Sequence, residues 1–93
     1  MVVGVMQLEL HVPAAHSLKD KRSVIKSVKE QLRGRFNIAV AELDSNDTWQ
    51  RATVGVSTVG DDRAYVTGLL DHVTEWIRQT RLVDLIRVET EYF

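Results

Sequence analysis

The sequence predicts an α+β fold in which four antiparallel strands are covered on one face by two helices. Four segments alternate apolar and polar residues, as half-buried strands do. Two longer segments repeat apolar residues three and four positions apart, which is typical of amphipathic helices. The order of these segments is βαββαβ. Because 93 residues bury enough surface for one core, we expect a single domain, 1–93.

The first strand ends at Pro13, the only proline in the chain. Apolar side chains alternate in it with Gln7, Glu9 and His11. These apolar residues are Met6, Leu8, Leu10 and Val12. A period of two with one apolar side predicts a strand that has one face against the core and one face open.

The first helix is predicted to begin at Ser17, whose hydroxyl can cap the first turn. Asp20, three residues later, resembles the acidic member of a capping box. Gly34 follows the last apolar residue of the pattern, where a left-handed glycine commonly ends a helix. The apolar face consists of Leu18, Val24, Ile25, Val28 and Leu32.

The next two strands form a predicted antiparallel hairpin. Phe36–Leu43 and Trp49–Val59 each alternate apolar and polar or small residues. The segment Asp44–Thr48 between them is rich in residues that favour turns. Since a short polar loop joins the two segments, antiparallel pairing is the expected arrangement.

The last two elements are a helix and a strand. Gly60, Asp61 and Asp62 break the third strand and offer a cap for the second helix. The apolar face of that helix consists of Val66, Leu69, Leu70, Val73, Trp76 and Ile77. The final strand, Leu85–Phe93, is expected to direct Ile86, Val88 and Tyr92 to the core and Arg87, Glu89 and Glu91 to the opposite side.

The simplest arrangement of these elements is a ferredoxin-like βαββαβ sandwich, a four-stranded antiparallel sheet with two helices on one face. Strands one and three should be central, and the charged strand four suits an edge. The other face of the sheet should then be open and polar. We expect it to carry Gln7, Glu9, His11, Thr53, Gly55, Ser57, Glu89 and Glu91.

Composition excludes some classes of site. The chain has no cysteine, so disulfides, thiol nucleophiles and thiolate metal sites are excluded. No apolar run approaches the roughly 20 residues that cross a bilayer, and no basic region precedes the apolar residues of the amino terminus. We therefore expect a soluble cytoplasmic protein that makes no membrane contact.

Positive charge is concentrated in one segment. Residues 19–35 hold seven of the 12 lysine and arginine residues and two acidic ones, a net charge of +5. The rest of the chain has a net charge of −6. On a helix, five of these cations fall within a sector of about 80°, and we call them the basic stripe. They are Lys19, Arg22, Lys26, Lys29 and Arg33.

The basic stripe predicts contact with a polyanion such as RNA. The alternative is a solvated helix face with no ligand. Lys21 lies on the azimuth of the apolar face, near the helix amino terminus, with His16, Lys19 and Arg22 around it. These groups could bind a phosphate or carboxylate there. Alternatively, Lys21 extends past the first turn to reach water.

Other candidate sites have weaker patterns. Glu9, His11 and Glu42 could hold a small ligand on the open face. The histidine spacing does not fix a metal site, so we expect no metal ion and no cofactor. Trp49 is either a cap on the core, since a core or half-core position is the commoner case for tryptophan, or an exposed anchor for a partner. No nucleophile elbow, phosphate-binding glycine loop or other catalytic signature is found, which favours a binding module over an enzyme.

Several motifs resemble the YlxP-like family of small bacterial proteins of unknown function. They are Ser17–Arg22, Arg35–Asn37, Ala41–Leu43 and Asp47–Gln50, and the resemblance runs from the first strand through the last. It implies a ferredoxin-like fold and, because genes of the family often lie near those for translation initiation and ribosome maturation, a role around RNA. It implies no catalytic residues. The matching positions are Leu18, Lys19, Lys21, Arg22, Phe36, Asn37, Glu42 and Trp49.

Three functional hypotheses follow. The first is a module that contacts RNA or a ribosomal particle through Lys19, Lys21, Arg22, Lys26, Lys29 and Arg33 of the first helix. The second is a protein-interaction or regulatory module that uses the open sheet face for a homodimer or a small ligand. The third is an enzyme such as an acylphosphatase, which the fold allows but for which the sequence has no matching catalytic loop.

Overall fold

The computed structural model describes residues 1–43 and 48–93. The predicted element order βαββαβ is confirmed. The elements are β1 (Val2–His11), α1 (Leu18–Arg35), β2 (Ala39–Glu42), β3 (Arg51–Gly60), α2 (Arg63–Gln79) and β4 (Asp84–Tyr92). The predicted turn at 44–47 lies outside the described residues.

The four strands form one antiparallel sheet in the order β2-β3-β1-β4. Strands β1 and β3 are central and β4 is an edge, as predicted. Leu8 is paired with Val54 on one side and with Val88 on the other, so apolar residues of three strands share one face. This register follows from the alternating pattern, because a slip of one residue would move every apolar side chain to the open face.

Both helices cover that apolar face. The core includes Met6, Leu8 and Leu10 of β1, each 1% exposed or less. From the helices, the core receives Ile25, Val28, Leu32, Val66, Leu70, Val73 and Ile77. The central residues of both predicted helical faces are therefore confirmed, whereas Leu18 and Leu69 at their margins are only half-buried. The opposite face of the sheet is left without a helix.

Gly4 lets α2 approach the sheet closely. A Cβ atom at this position would lie 2.5 Å from Cγ1 of Val66 and 2.8 Å from Cδ1 of Leu70. Those distances are below van der Waals contact, so any larger side chain would require α2 or the Val66 and Leu70 side chains to shift. The sequence pattern alone gave no indication of this contact.

Three predicted boundaries are wrong. Strand β2 spans only Ala39–Glu42, because Phe36 caps α1 by donating its N–H to the Leu32 carbonyl. Strand β3 begins at Arg51 rather than at Trp49. Gly34 does not end α1 in a left-handed conformation, since it lies within the helix and no described glycine has a positive φ.

A β-bulge corrects the predicted faces of β4. The pairing with β1 shifts between Glu9, which is opposite Arg87, and Leu10, which is opposite Leu85. Ile86 is the extra residue and is 46% exposed. Leu85 packs against the core in its place. A single inserted residue reverses the alternation beyond it, and the period-two pattern could not show that.

Candidate nucleic-acid interface

The start of α1 has the predicted cap. The Ser17 side-chain oxygen accepts the N–H of Asp20 at 3.0 Å, and the Asp20 carboxylate accepts the N–H of His16 at 3.0 Å. In a capping box the acidic side chain accepts the N–H of the cap residue, here Ser17. In this structure Asp20 instead accepts the N–H of His16, the residue before the cap. Since Asp20 already places a negative charge at this helix end, the structure favours a helix-capping role over binding of an external anion.

Lys21 points inward, so the interpretation that it extends past the first turn to reach water is wrong. The side chain is 3% exposed, and its ammonium donates to the carbonyl oxygens of Thr48 at 3.0 Å and Arg51 at 3.1 Å. It therefore does not extend past the turn to water, and it does not join the exposed cations of α1. It connects the first turn of the helix to the turn that precedes β3.

A second set of bonds holds the same turn against the end of β1. The Gln50 side-chain amide donates to the carbonyl of Ala15 at 3.3 Å, and the Val12 N–H donates to the carbonyl of Gln50 at 2.8 Å. Motifs 17–22 and 48–50 therefore meet in space. Trp49, which lies between these bonded residues, is 48% exposed, so it is not a buried core residue and about half of it is accessible to a partner.

The basic stripe lies on the surface of α1. Lys19, Arg22, Lys26 and Arg33 are exposed and Lys29 is half-buried. Successive members are three or four residues apart, and like charges at this spacing destabilise a helix by about 0.2–0.5 kcal/mol per pair. Lys19 also lies in the first turn, where the helix dipole disfavours a cation. Helix stability therefore does not account for the arrangement.

Two contacts define the direction in which the basic stripe faces. Alternate residues of an antiparallel strand bond to the same neighbouring strand. The Leu43 N–H donates to the Thr53 carbonyl of β3, so Val40, three positions earlier, directs its carbonyl away from β3, to the outer edge of β2. The Arg33 guanidinium donates to that carbonyl at 3.1 Å. On the other side of α1, the guanidinium of Arg35 lies 5.6 Å from the ring centre of Trp76 in α2. The basic stripe therefore lies on the β2 side of the molecule, away from α2.

No carboxylate of the described residues forms a salt bridge with the basic stripe. The ion pairs within 1–43 and 48–93 are His11–Asp84 at 3.1 Å, Arg51–Glu9 at 3.8 Å and Arg87–Glu89 at 2.6 Å. All three lie on the sheet. Glu30, four residues after Lys26, lies beside the basic stripe but forms no salt bridge with it among these residues, so the five cations still outnumber the acidic groups on the outer side of α1.

The proposed ligand group on the open face is not assembled. Glu9 and His11 lie there, as expected. Glu42 is opposite Val54, a core residue, and therefore belongs to the helix-covered face. The grouping of Glu42 with Glu9 and His11 is wrong. Successive residues of a strand point to opposite faces, and the pairing of β2 with β3 turns Glu42 to the helix-covered face; a register shifted by one residue would be needed to place it beside the other two.

The open face has an apolar part. A depression of about 290 Å³ is lined by side chains of β1, β2 and β3, including Val5, Ala39 and Ala41, and by Leu43, which follows β2. Leu43 lies across Gly55, where an added Cβ would be 2.8 Å from Cδ1 of Leu43. No aromatic residue lies on this face in the two central strands.

A metal site and a membrane-spanning helix each have structural requirements that are not met by residues 1–43 and 48–93. There, no three histidine or acidic side chains are grouped so as to hold a metal ion. No helix of this part of the chain combines the length and the apolar character needed to cross a membrane. The features that stand out are the basic stripe, the exposed Trp49 and the open sheet face.

Comparison with known proteins identifies the family. The chain is 29% identical over 92 residues to the uncharacterized protein YlxP of Bacillus subtilis (strain 168), covering 99% of this chain and 100% of YlxP. A crystal structure of a mutant of SnoaB, a cofactor-independent oxygenase from Streptomyces nogalater, aligns with a TM-score of 0.45 and 15% identity over 99% of this chain and 90% of SnoaB. That likeness is too distant to support any conclusion. Residues 3–90 match the model of the family described as protein of unknown function (DUF503), and the chain belongs to this YlxP-like family.

Proposed function

We propose that the chain is an RNA-binding module that contacts the phosphate backbone through the basic stripe of α1. The observation that carries the proposal is the arrangement of Lys19, Arg22 and Lys26, which are exposed in one line without a salt-bridge partner among the described residues. Like-charge repulsion along a helix is unfavourable by itself, and attraction to the phosphates offsets it when a polyanion is bound.

The expected contact is electrostatic and tolerant of sequence. Backbone phosphates position a protein on a nucleic acid, whereas base edges specify the sequence. The open face of the central strands lacks the aromatic residues on which related sheets stack bases. Helix α1 is therefore the proposed contact surface, and a segment of ribosomal RNA or a ribosome-associated complex is a ligand of suitable chemistry.

The test is a salt titration of binding to a short labelled RNA, followed by fluorescence anisotropy. If three to four phosphates are contacted, the log–log slope of affinity against salt should be about −2 to −4. The double variant Lys19→Glu/Arg22→Glu should bind more than about tenfold more weakly at ~0.1 M salt and have a shallower slope. Both residues are exposed, so the fold should tolerate the changes.

The matched control is Arg78→Glu/Arg81→Glu. These two arginines are exposed at the carboxyl end of α2 and beyond it, and their reversal changes the net charge by the same amount. RNA affinity should fall far less in the control than in the α1 variant. Equal losses in the two variants, or the absence of RNA binding by the wild type, would show that the basic stripe is not an RNA site.

One observation favours self-association through the open face as a second function. Val59, Val3 and Phe93 are neighbours across three strands, with Val59 53% and Phe93 71% exposed. The open face of the four-stranded sheet covers roughly 600 Å² per copy. Two copies would therefore bury about 1,200 Å² in total, which is the lower end of the range for specific interfaces. The occupant that we propose for this face is a second copy of the chain.

Sedimentation velocity tests this second function. Wild type should show a concentration-dependent dimer. Val59→Lys on the open face should reduce that dimer, whereas Ala64→Lys, an exposed position on α2, should not. A wild type that stays monomeric at high concentration would rule out the open-face dimer without affecting the RNA proposal.

A further inference from the structure

We infer that Trp49 stacks on an unpaired base, and that the preferred ligand of the basic stripe is consequently single-stranded RNA. The inference rests on the proposed function, because the phosphates would be held by the cations of α1. Single-stranded and duplex RNA both present phosphates, so the charges of α1 alone do not distinguish them. Stacking on Trp49 would make the single strand the preferred ligand.

The first step is the exposure of the indole. Trp49 is 48% exposed, although burying a tryptophan side chain is strongly favourable. The turn that carries it is held by the buried ammonium of Lys21 and by the Gln50 amide. An exposed indole on a turn whose backbone is already held needs little further ordering of the chain when a ligand packs on it, which makes it a suitable stacking platform.

The second step is the location of Trp49 relative to α1. The Lys21 contacts with Thr48 and Arg51, on both sides of Trp49, place this turn beside the first turn of the helix. Lys19 and Arg22 lie in the same part of α1. Because Lys19 and Arg22 project about 100–160° around the helix axis from Lys21, a strand whose phosphates run along the basic stripe would have to pass around the first turn of α1 to bring a base to the indole at one end.

The third step is that the other exposed aromatic residues lie elsewhere. Among the described residues, the large exposed aromatic side chains are Trp49, Tyr65 and Phe93. Phe93 bonds with Val3, at the start of β1, and Tyr65 is in the first turn of α2, at the same end of the sheet. The amino end of α1 is at the opposite end. Trp49 alone of the three is placed to act together with the basic stripe.

Stacking selects single strands because a base within a duplex has both faces covered by its neighbours. Every unpaired base offers a π-face, so the preference would not depend on sequence. This agrees with the backbone-directed contact expected of α1. An indole beside a line of cations is the combination found in sites that bind single-stranded nucleic acids without sequence preference.

The test compares a labelled uridine oligonucleotide with an RNA duplex of equal length at fixed salt. Wild type should prefer the single strand. Trp49→Ala should lower affinity for the single strand roughly 5- to 140-fold, the range for loss of one stacked base, while leaving duplex affinity almost unchanged. Trp49→Phe should retain most of the affinity. The salt slope should be the same for Trp49→Ala and wild type, because the indole carries no charge.

Fluorescence gives a readout that a loosened fold would not reproduce. In a Trp76→Phe background, Trp49 is the sole tryptophan, and its emission should be quenched by the single strand and not by the duplex. If Trp49→Ala binds both ligands as wild type does, or weakens both equally, the inference is wrong while the proposed function stands. If wild type binds neither RNA, both are wrong.

Discussion

The ammonium nitrogen of Lys21 lies 3.0 Å from the carbonyl oxygen of Thr48, a residue 27 positions further along the chain. A buried ammonium is costly unless hydrogen bonds replace its water, and this one also donates to Arg51 at 3.1 Å. The contact joins the first turn of α1 to the turn before β3. In the motif Ser17–Arg22, which resembles the family, Lys21 therefore has a structural role, whereas Lys19 and Arg22 are exposed cations.

Replacement of Lys21 by methionine should destabilise the fold. Met has a similar volume but cannot donate, so the carbonyls of Thr48 and Arg51 would lose these hydrogen bonds in a buried environment. We expect the free energy of unfolding to fall by about 1–3 kcal/mol. Urea denaturation would measure it. Lys26→Met, at an exposed position of the same helix, is the control and should change stability by less than about 0.5 kcal/mol. Equal effects would mean that the Lys21 bonds are not stabilising.

Removal of the helix cap should also be measurable. Ser17→Ala eliminates the oxygen that accepts the Asp20 N–H, and loss of such a cap costs about 1 kcal/mol. Thermal unfolding followed by circular dichroism would show a lower Tm. Ser23→Ala, at an exposed position within α1, should leave Tm unchanged or raise it, because alanine favours a helix interior more than serine does. A stable Ser17→Ala variant would contradict the observed cap.

Substitution of Gly4 by alanine should be destabilising through overpacking. The added methyl group would lie 2.5 Å from Cγ1 of Val66, so α2 or the Val66 side chain would have to move. Insertion of a methyl group into a packed core costs typically about 1–3 kcal/mol. Chemical denaturation would detect this change. Retention of wild-type stability would show that α2 adjusts without cost at this contact.

Gly68→Ala provides the opposite expectation. Gly68 lies within α2, and a Cβ atom there would meet nothing within 4 Å. Alanine in a helix interior is more favourable than glycine by roughly 1 kcal/mol. For a domain of this size the Tm should rise by about 4–8 °C per kcal/mol. A lower Tm would indicate a contact that the backbone geometry does not show.

Local patterns were sufficient for the element order and for the two faces of the central strands β1 and β3. The alternation in β1 assigned Leu8 to the core and Glu9 to the open face, and both assignments are confirmed. The apolar repeats of both helices were equally informative. The alternation of a strand and the apolar repeat of a helix depend only on residues a few positions apart, so both can be derived from the sequence.

The errors arose where distant segments meet. Ile86 lost its core position to a bulge, and Glu42 fell on the face opposite to Glu9 and His11. Gly34 remained inside α1 because Phe36 supplies the cap. Each result depends on strand register or on a competing local bond, neither of which is fixed by the period of the pattern.

By itself the sequence determined a ferredoxin-like βαββαβ fold, a basic stripe on its first helix and an open sheet face without aromatic residues on the central strands. Only the tertiary structure decided which cations of the motif are accessible and what lies beside them. Lys21 and Lys19 are two residues apart, yet one is buried and the other exposed. The physical reason is that an ammonium can be buried only where carbonyl oxygens from elsewhere in the chain replace its water, and folding alone brings Thr48 and Arg51 to that place.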